Sequence, residues 1–128
     1  TVFNHYLVRG KPGHVPGQWA ALADCVNWIR GAGGQAVLAH PARYRLTGTR
    51  LRQLLGQFQE AGGVALEVFS GSHSPDDARL MAEYARRFQL RASVGSDFHG
   101  PGSPYIELGR LPTLPADLIP VWSDWDST

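Results

Sequence analysis

The feature that most constrains this chain is a pattern that repeats three times: a helical apolar period, a stop, and a short apolar run. Trp19, Leu22, Val26 and Ile29 recur at helical spacing, and Gly31, Gly33 and Gly34 end that period just before the run 36–39. Leu51, Leu54, Leu55 and Phe58 line one face of a second helix, which stops at Gly62-Gly63 ahead of the run 64–69. The third helix opens with Ser74 as cap, Pro75 at the first position, and Asp76 and Asp77 in the first turn. Its apolar face is Leu80, Met81, Tyr84 and Phe88, and the run 91–94 follows. Strands separated by helices pair in parallel, with the helices packed outside the sheet. Two helix–strand joints share one solution, Ala32-Gly33-Gly34 and Ala61-Gly62-Gly63. Three such units do not close a barrel. By periodicity Trp19, Trp28, Phe58 and Phe88 are packing residues.

The flanks are less regular. Residues 1–17 carry Phe3, Tyr6, Leu7 and Val8, then the breakers Gly10-Lys11-Pro12-Gly13 and Val15-Pro16-Gly17, which predict a short helix or arm feeding a loop. Beyond residue 100 come proline-rich turns, a short strand expected at 105–108, and a tail with Val121, Trp122 and Trp125 expected to cover apolar surface. The 128 residues suffice for one compact domain, and the low charged fraction argues against disorder. A formal charge of +1 argues against a coat-type, electrostatic DNA or RNA binder, while leaving room for a nucleotide or RNA end held by a few basic groups. The single cysteine, Cys25, excludes an internal disulfide and a cysteine-rich zinc site, and fits a reducing cytoplasm, the expected location. No apolar run approaches the roughly 20 residues of a membrane span, so no membrane is expected as partner. Thr1 in place of methionine predicts a processed or truncated N-terminus.

The chemistry gathers where the apolar runs end. Ala39-His40-Pro41 follows the first, Ser70-Gly71-Ser72-His73 the second, and Gly95-Ser96-Asp97-Phe98-His99-Gly100 the third. Parallel α/β proteins place their sites at the C-terminal ends of the strands. Imidazole and carboxylate together suit zinc, manganese or iron and bind them near neutral pH without a costly deprotonation. Asp97 and His99 lie two residues apart, the side-chain period of a strand, and so are expected to project together. The competing reading is a hydrogen-bonded turn capped by Asp97. Glu67 alternates with Leu66 and Val68, so it faces the inside as a metal ligand, as support for one, or as the partner of an arginine or lysine. His73 either donates to a substrate phosphate near the helix start or is a loop histidine on the surface. Arg43, Arg9 and Lys11 are candidates to grip phosphate, against solvated loop charges. His5 and His14 lack a partner pattern and read as structural or exposed.

In combination, Ala39-His40-Pro41 with Arg43-Tyr44, Leu66-Glu67-Val68 running to His73, and Gly95-Ser96-Asp97-Phe98-His99-Gly100 resemble the polymerase and histidinol phosphatase (PHP) superfamily. The similarity is to its bacterial nucleotide phosphoesterases of the RNase AM type, and the opening Tyr6-Leu7 through Gly13 shares it. The resemblance implies an α/β fold: the C-terminal part of a distorted (β/α)7 barrel, parallel strands alternating with outer helices. It implies divalent metal ions, manganese first with zinc or iron as alternatives. The activity it implies is hydrolysis of 3′,5′-bisphosphonucleotides or of short RNA from the 5′ end. Matching positions make His40, Asp97 and His99 the expected metal ligands, with Glu67 and His73 less directly carried over. The family's opening His-x-His motif is absent from this chain. Residues 1–128 are therefore expected to be the C-terminal portion of a single barrel domain, inactive alone, whose partner is the N-terminal part of the same protein. Two other readings stand beside this one: a non-catalytic binding or regulatory module on a degenerate PHP fold, and an amidohydrolase-like metal enzyme. The latter often needs a bridging lysine, and the only lysine, Lys11, lies in the breaker-rich loop.

Overall fold

A computed structural model describes residues 21–102 and 108–125. Helix α1 (Leu22–Gly31) leads to strand β1 (Val37–Leu38), a 3-10 turn (Pro41–Tyr44), α2 (Gly48–Ala61), β2 (Ala65–Ser70), α3 (Pro75–Phe88), β3 (Arg91–Gly95) and a last 3-10 turn (Val121–Asp124). The three expected helix–strand units are all present. Trp19 and the arm 1–17, with His5, Arg9, Lys11 and His14, lie outside the described residues, as does most of the strand expected at 105–108.

The strands are parallel in the order β1-β2-β3, with Leu38 beside Leu66 and Leu66 beside Ala92. Sequential order with right-handed crossovers puts the connecting helices on one face. Along β2, Leu66, Val68 and Ser70 are buried, while Glu67 and Phe69 turn to the other, partly open face. Leu66 and Val68 pack with Val26, Leu51, Leu55, Phe58, Met81, Ala82 and Ala92 in one core. The register slips between Glu67 and Phe69, so that Ser70 ends beside Gly95. In both Ala-Gly-Gly joints the middle residue is left-handed, Gly33 at φ 83° and Gly62 at φ 106°, which explains why glycine recurs there.

Three packing expectations are corrected. Trp28 is 66% exposed, off the buried face of α1 that carries Val26. In α3 the buried face is Met81, Ala82, Tyr84 and Ala85, rotated so that Leu80 is largely exposed. The tail buries Leu118 and Val121, but Trp122 and Trp125 remain at the surface.

The tail is fixed at the N-terminal ends of the strands. Ala92 N donates to Ile119 O at 2.9 Å, extending the sheet by an isolated bridge to Pro120. Arg91, which opens β3, holds Asp124 through two contacts of 3.1 and 3.0 Å. Gln35, just before β1, accepts from Trp125 Nε1 at 2.7 Å and donates to Asp124 at 3.4 Å.

Candidate functional site

Because the strands run parallel, His40, the Ser70–His73 stretch and the Asp97–His99 stretch emerge on the same rim. Strand β1 ends early because His40 is left-handed, at φ 32° and ψ 55°, and Pro41 then starts the 3-10 turn. For a residue with a Cβ that conformation costs on the order of 1 kcal/mol and needs outside support. Two hydrogen bonds supply it: His40 N donates to Glu67 Oε2 at 2.6 Å, and Tyr44 Oη donates to Ala39 O at 2.6 Å. The Tyr44 ring stands edge-on to the imidazole, 5.9 Å between centroids. His40 Nδ1 is buried with no hydrogen-bond partner among the described residues. An imidazole nitrogen left in this way is open to a water, an ion or a group from outside the described residues. Burial, and secondarily the charge of Glu67, pushes the Tyr44 hydroxyl above the usual tyrosine range, so it stays a protonated donor.

Glu67 therefore pairs with a backbone amide, where an arginine or lysine had been the expected structural partner. Its other oxygen, Oε1, lies over Gly95, where any Cβ would collide with it.

On the third strand end the two-residue strand period is not what joins Asp97 and His99. Strand β3 stops at Gly95, and Asp97 is itself left-handed at φ 53°. His99 Nδ1 instead folds back to within 2.6 Å of Asp97 O, and lies 3.7 Å from Asp97 Oδ1. With Nδ1–H given to the carbonyl, the lone pair sits on the outward Nε2, the tautomer a metal-binding histidine uses. Arg43 Nη1 approaches Asp97 Oδ2 at 3.7 Å. Thus Arg43 joins the first strand end to the third.

His73 is buried, which removes the surface-loop reading. Its Nδ1 faces Val68 O at 3.2 Å, and Nε2 is buried without a partner among the described residues. Beside it Ser70 Oγ and Ser72 Oγ are 3.0 Å apart. The start of α3 is closed by a reciprocal box: Asp77 N donates to Ser74 Oγ and Ser74 N to Asp77 Oδ2. The Ser74 amide holds the Asp77 carboxyl below its usual range. The helix start thus spends two of its amides on itself.

Among the described residues no three of His, Cys, Asp and Glu stand close enough to hold an ion by themselves. The donor types and the orphaned His40 nitrogen nonetheless suit a divalent ion whose remaining ligands come from outside these residues. Arg9 and Lys11 lie outside the described residues. Tyr44 and Gly95 lie within the sequence motifs, but their contacts with Ala39 and Glu67 were not foreseen.

No protein-family model matches the chain. Individual relatives do. The chain is 50% identical over 127 residues to the 3′,5′-nucleoside bisphosphate phosphatase of Chromobacterium violaceum, covering 99% of itself and 45% of that protein. It is 46% identical over 125 residues to the 5′-3′ exoribonuclease Rnm of Escherichia coli, covering 98% of itself and 42% of the relative. A Chromobacterium violaceum structure described as an amidohydrolase with bound sulfate and no metal superposes at a TM-score of 0.80. It is 51% identical, over 95% of this chain and 42% of that one. A Bifidobacterium adolescentis protein assigned as a metal-dependent phosphoesterase superposes at 0.65 with 27% identity, over 85% of this chain and 38% of its own. The chain spans less than half the length of these relatives. By sequence and by fold together, it is similar over nearly its whole length to bacterial nucleoside bisphosphate phosphatases and 5′-3′ exoribonucleases, in keeping with the PHP resemblance of its motifs.

Proposed function

We propose that residues 1–128 form the C-terminal portion of a single PHP-type barrel domain in a longer, metal-dependent phosphoesterase. Its substrates are 3′,5′-bisphosphonucleotides or the 5′ ends of short RNA. The observation that carries this reading is the rim at the C-terminal ends of the strands. His40 with an orphaned nitrogen and the Arg43 guanidinium stand at the end of β1, Asp97 with His99 folded onto it stands at the end of β3, and Arg43 reaches across to Asp97. His40, Asp97 and His99 hold part of a divalent metal set, manganese first and zinc or iron otherwise, completed by the preceding part of the polypeptide. A divalent ion there supplies polarisation of a phosphoryl oxygen and acidification of water. Arg43 binds phosphate through its planar fork, drawn from Asp97 toward the stronger anion. His73 offers Nε2 to a second phosphate oxygen. Arg9 and Lys11 add charge from the arm. The sulfate in the Chromobacterium structure supports a tetrahedral oxyanion as ligand of this branch. No helix among the described residues is long and apolar enough to cross a membrane, and a cytoplasmic location is proposed with the function.

The test is hydrolysis by the full-length polypeptide of adenosine 3′,5′-bisphosphate and of a 5′-phosphorylated short RNA, with Mn²⁺ and after chelation. Metal-dependent phosphate or mononucleotide release is expected from full-length protein and not from residues 1–128 alone. No release with either substrate would overturn the reading of substrate class. Turnover by the isolated 128 residues would overturn the proposal that they are incomplete.

A further inference from the structure

The two hydrogen bonds that brace His40 act on one chemical group. Ala39 O and His40 N are the two ends of a single peptide bond. Tyr44 Oη donates to the oxygen and Glu67 Oε2 accepts from the nitrogen, each at 2.6 Å. A peptide group is planar, so fixing both ends fixes its orientation, and the φ of His40 is the rotation about the next bond. Glu67 comes from β2 and reaches this group only because residue 95 of β3 has no Cβ. Both Glu67 oxygens are then engaged, one on the amide and one packed over Gly95. The Tyr44 ring also limits the imidazole from its edge.

We propose that Glu67, Tyr44 and Gly95 form a clamp on the Ala39–His40 peptide group, and that Glu67 is a positioning residue for His40 with no bond of its own to a metal. The clamp ties the ends of β1 and β3 to the body of β2 and presents the strained His40 in one orientation. It rests on the proposed function only in taking His40 as a ligand. A ligand needs the negative charge at position 67; the clamp needs only an acceptor of the same shape, which glutamine provides.

The experiment measures Mn²⁺ affinity and melting temperature for full-length wild type, Glu67→Gln, Glu67→Ala, Tyr44→Phe and Gly95→Ala. In the metal-free protein it also follows the chemical shift and exchange of the His40 amide proton. Glu67→Ala and Gly95→Ala are expected to weaken Mn²⁺ binding by about 10- to 100-fold, the range for groups that orient ligands. Glu67→Gln is expected to restore most of it, and Tyr44→Phe to fall between. The His40 amide is expected far downfield and protected in wild type and Glu67→Gln, and shifted and exchanging in Glu67→Ala. Equal losses in Gln and Ala would make Glu67 a ligand and overturn the clamp, as would an unchanged amide in Glu67→Ala. Should Glu67→Ala fail to fold, Tyr44→Phe, which removes one hydroxyl, decides by the same readouts. A wild type that binds no Mn²⁺ would sink the metal reading, and the amide measurement would still decide the clamp.

Discussion

The two ends of the same three strands are built on opposite principles. At the N-terminal ends the polar groups are matched: Arg91 with Asp124, Gln35 with Trp125, the Ala92 amide with Ile119. At the C-terminal ends, His40 and Asp97 are left-handed without being glycine, and the imidazole nitrogens left buried and unmatched among the described residues belong to His40 and His73. Paired groups hold a fold together; strained backbone and unspent donors are kept where a ligand can use them. The unmatched side chains, more than the backbone (Gln89, just before β3, is also left-handed), set apart the rim proposed to bind.

Substitutions should divide along the same line. The largest effect is expected for Asp97→Ala in the full-length polypeptide. Loss of a ligand should exceed the roughly 100-fold seen for supporting groups, read as metal content and turnover, with the melting temperature little changed. A folded variant that kept its metal would erase the distinction between the rims. Arg43→Ala follows, with KM raised about tenfold or more, the range of a charge-assisted hydrogen bond. Arg43→Lys should recover only part, because an ammonium lacks the planar fork. At the opposite rim, Asp124→Ala should leave metal content untouched and lower stability by about 1 kcal/mol in denaturant titration, since the pair is bidentate but partly solvated. The smallest effect is at the start of α3, where Ser74→Ala should cost up to about 1 kcal/mol. The Asp77 carboxyl is held below its ordinary pKa, so its contribution is present above about pH 4 and fades as pH falls through the depressed value. Asp77→Asn should therefore differ from wild type at neutral pH and converge with it in acid.

Much of this was legible in the residues, because stops and caps are local. Gly62 and Ser74 announce their turns through backbone freedom and a hydroxyl, and both stand where expected. Histidine and aspartate carry their chemistry in their identity, and parallel strands place their C-terminal ends together, so the gathering of these residues on one rim was foreseeable. The clamp could not. Glu67 is satisfied by a backbone amide, which every residue but proline owns, and Gly95 contributes only the absence of an atom. The strand period misjudged Asp97 and His99, because a left-handed residue breaks alternation. Helical period misplaced Trp28, because it marks a face without saying what covers it.

The most direct measurement is anomalous scattering at the manganese edge from crystals of the longer polypeptide grown with Mn²⁺. The account predicts metal density at the C-terminal rim whose ligands include His40, Asp97 or His99 together with residues of the preceding polypeptide, with Glu67 still on the His40 amide. A peak bonded to none of the three, or no peak with their positions unchanged, would contradict it.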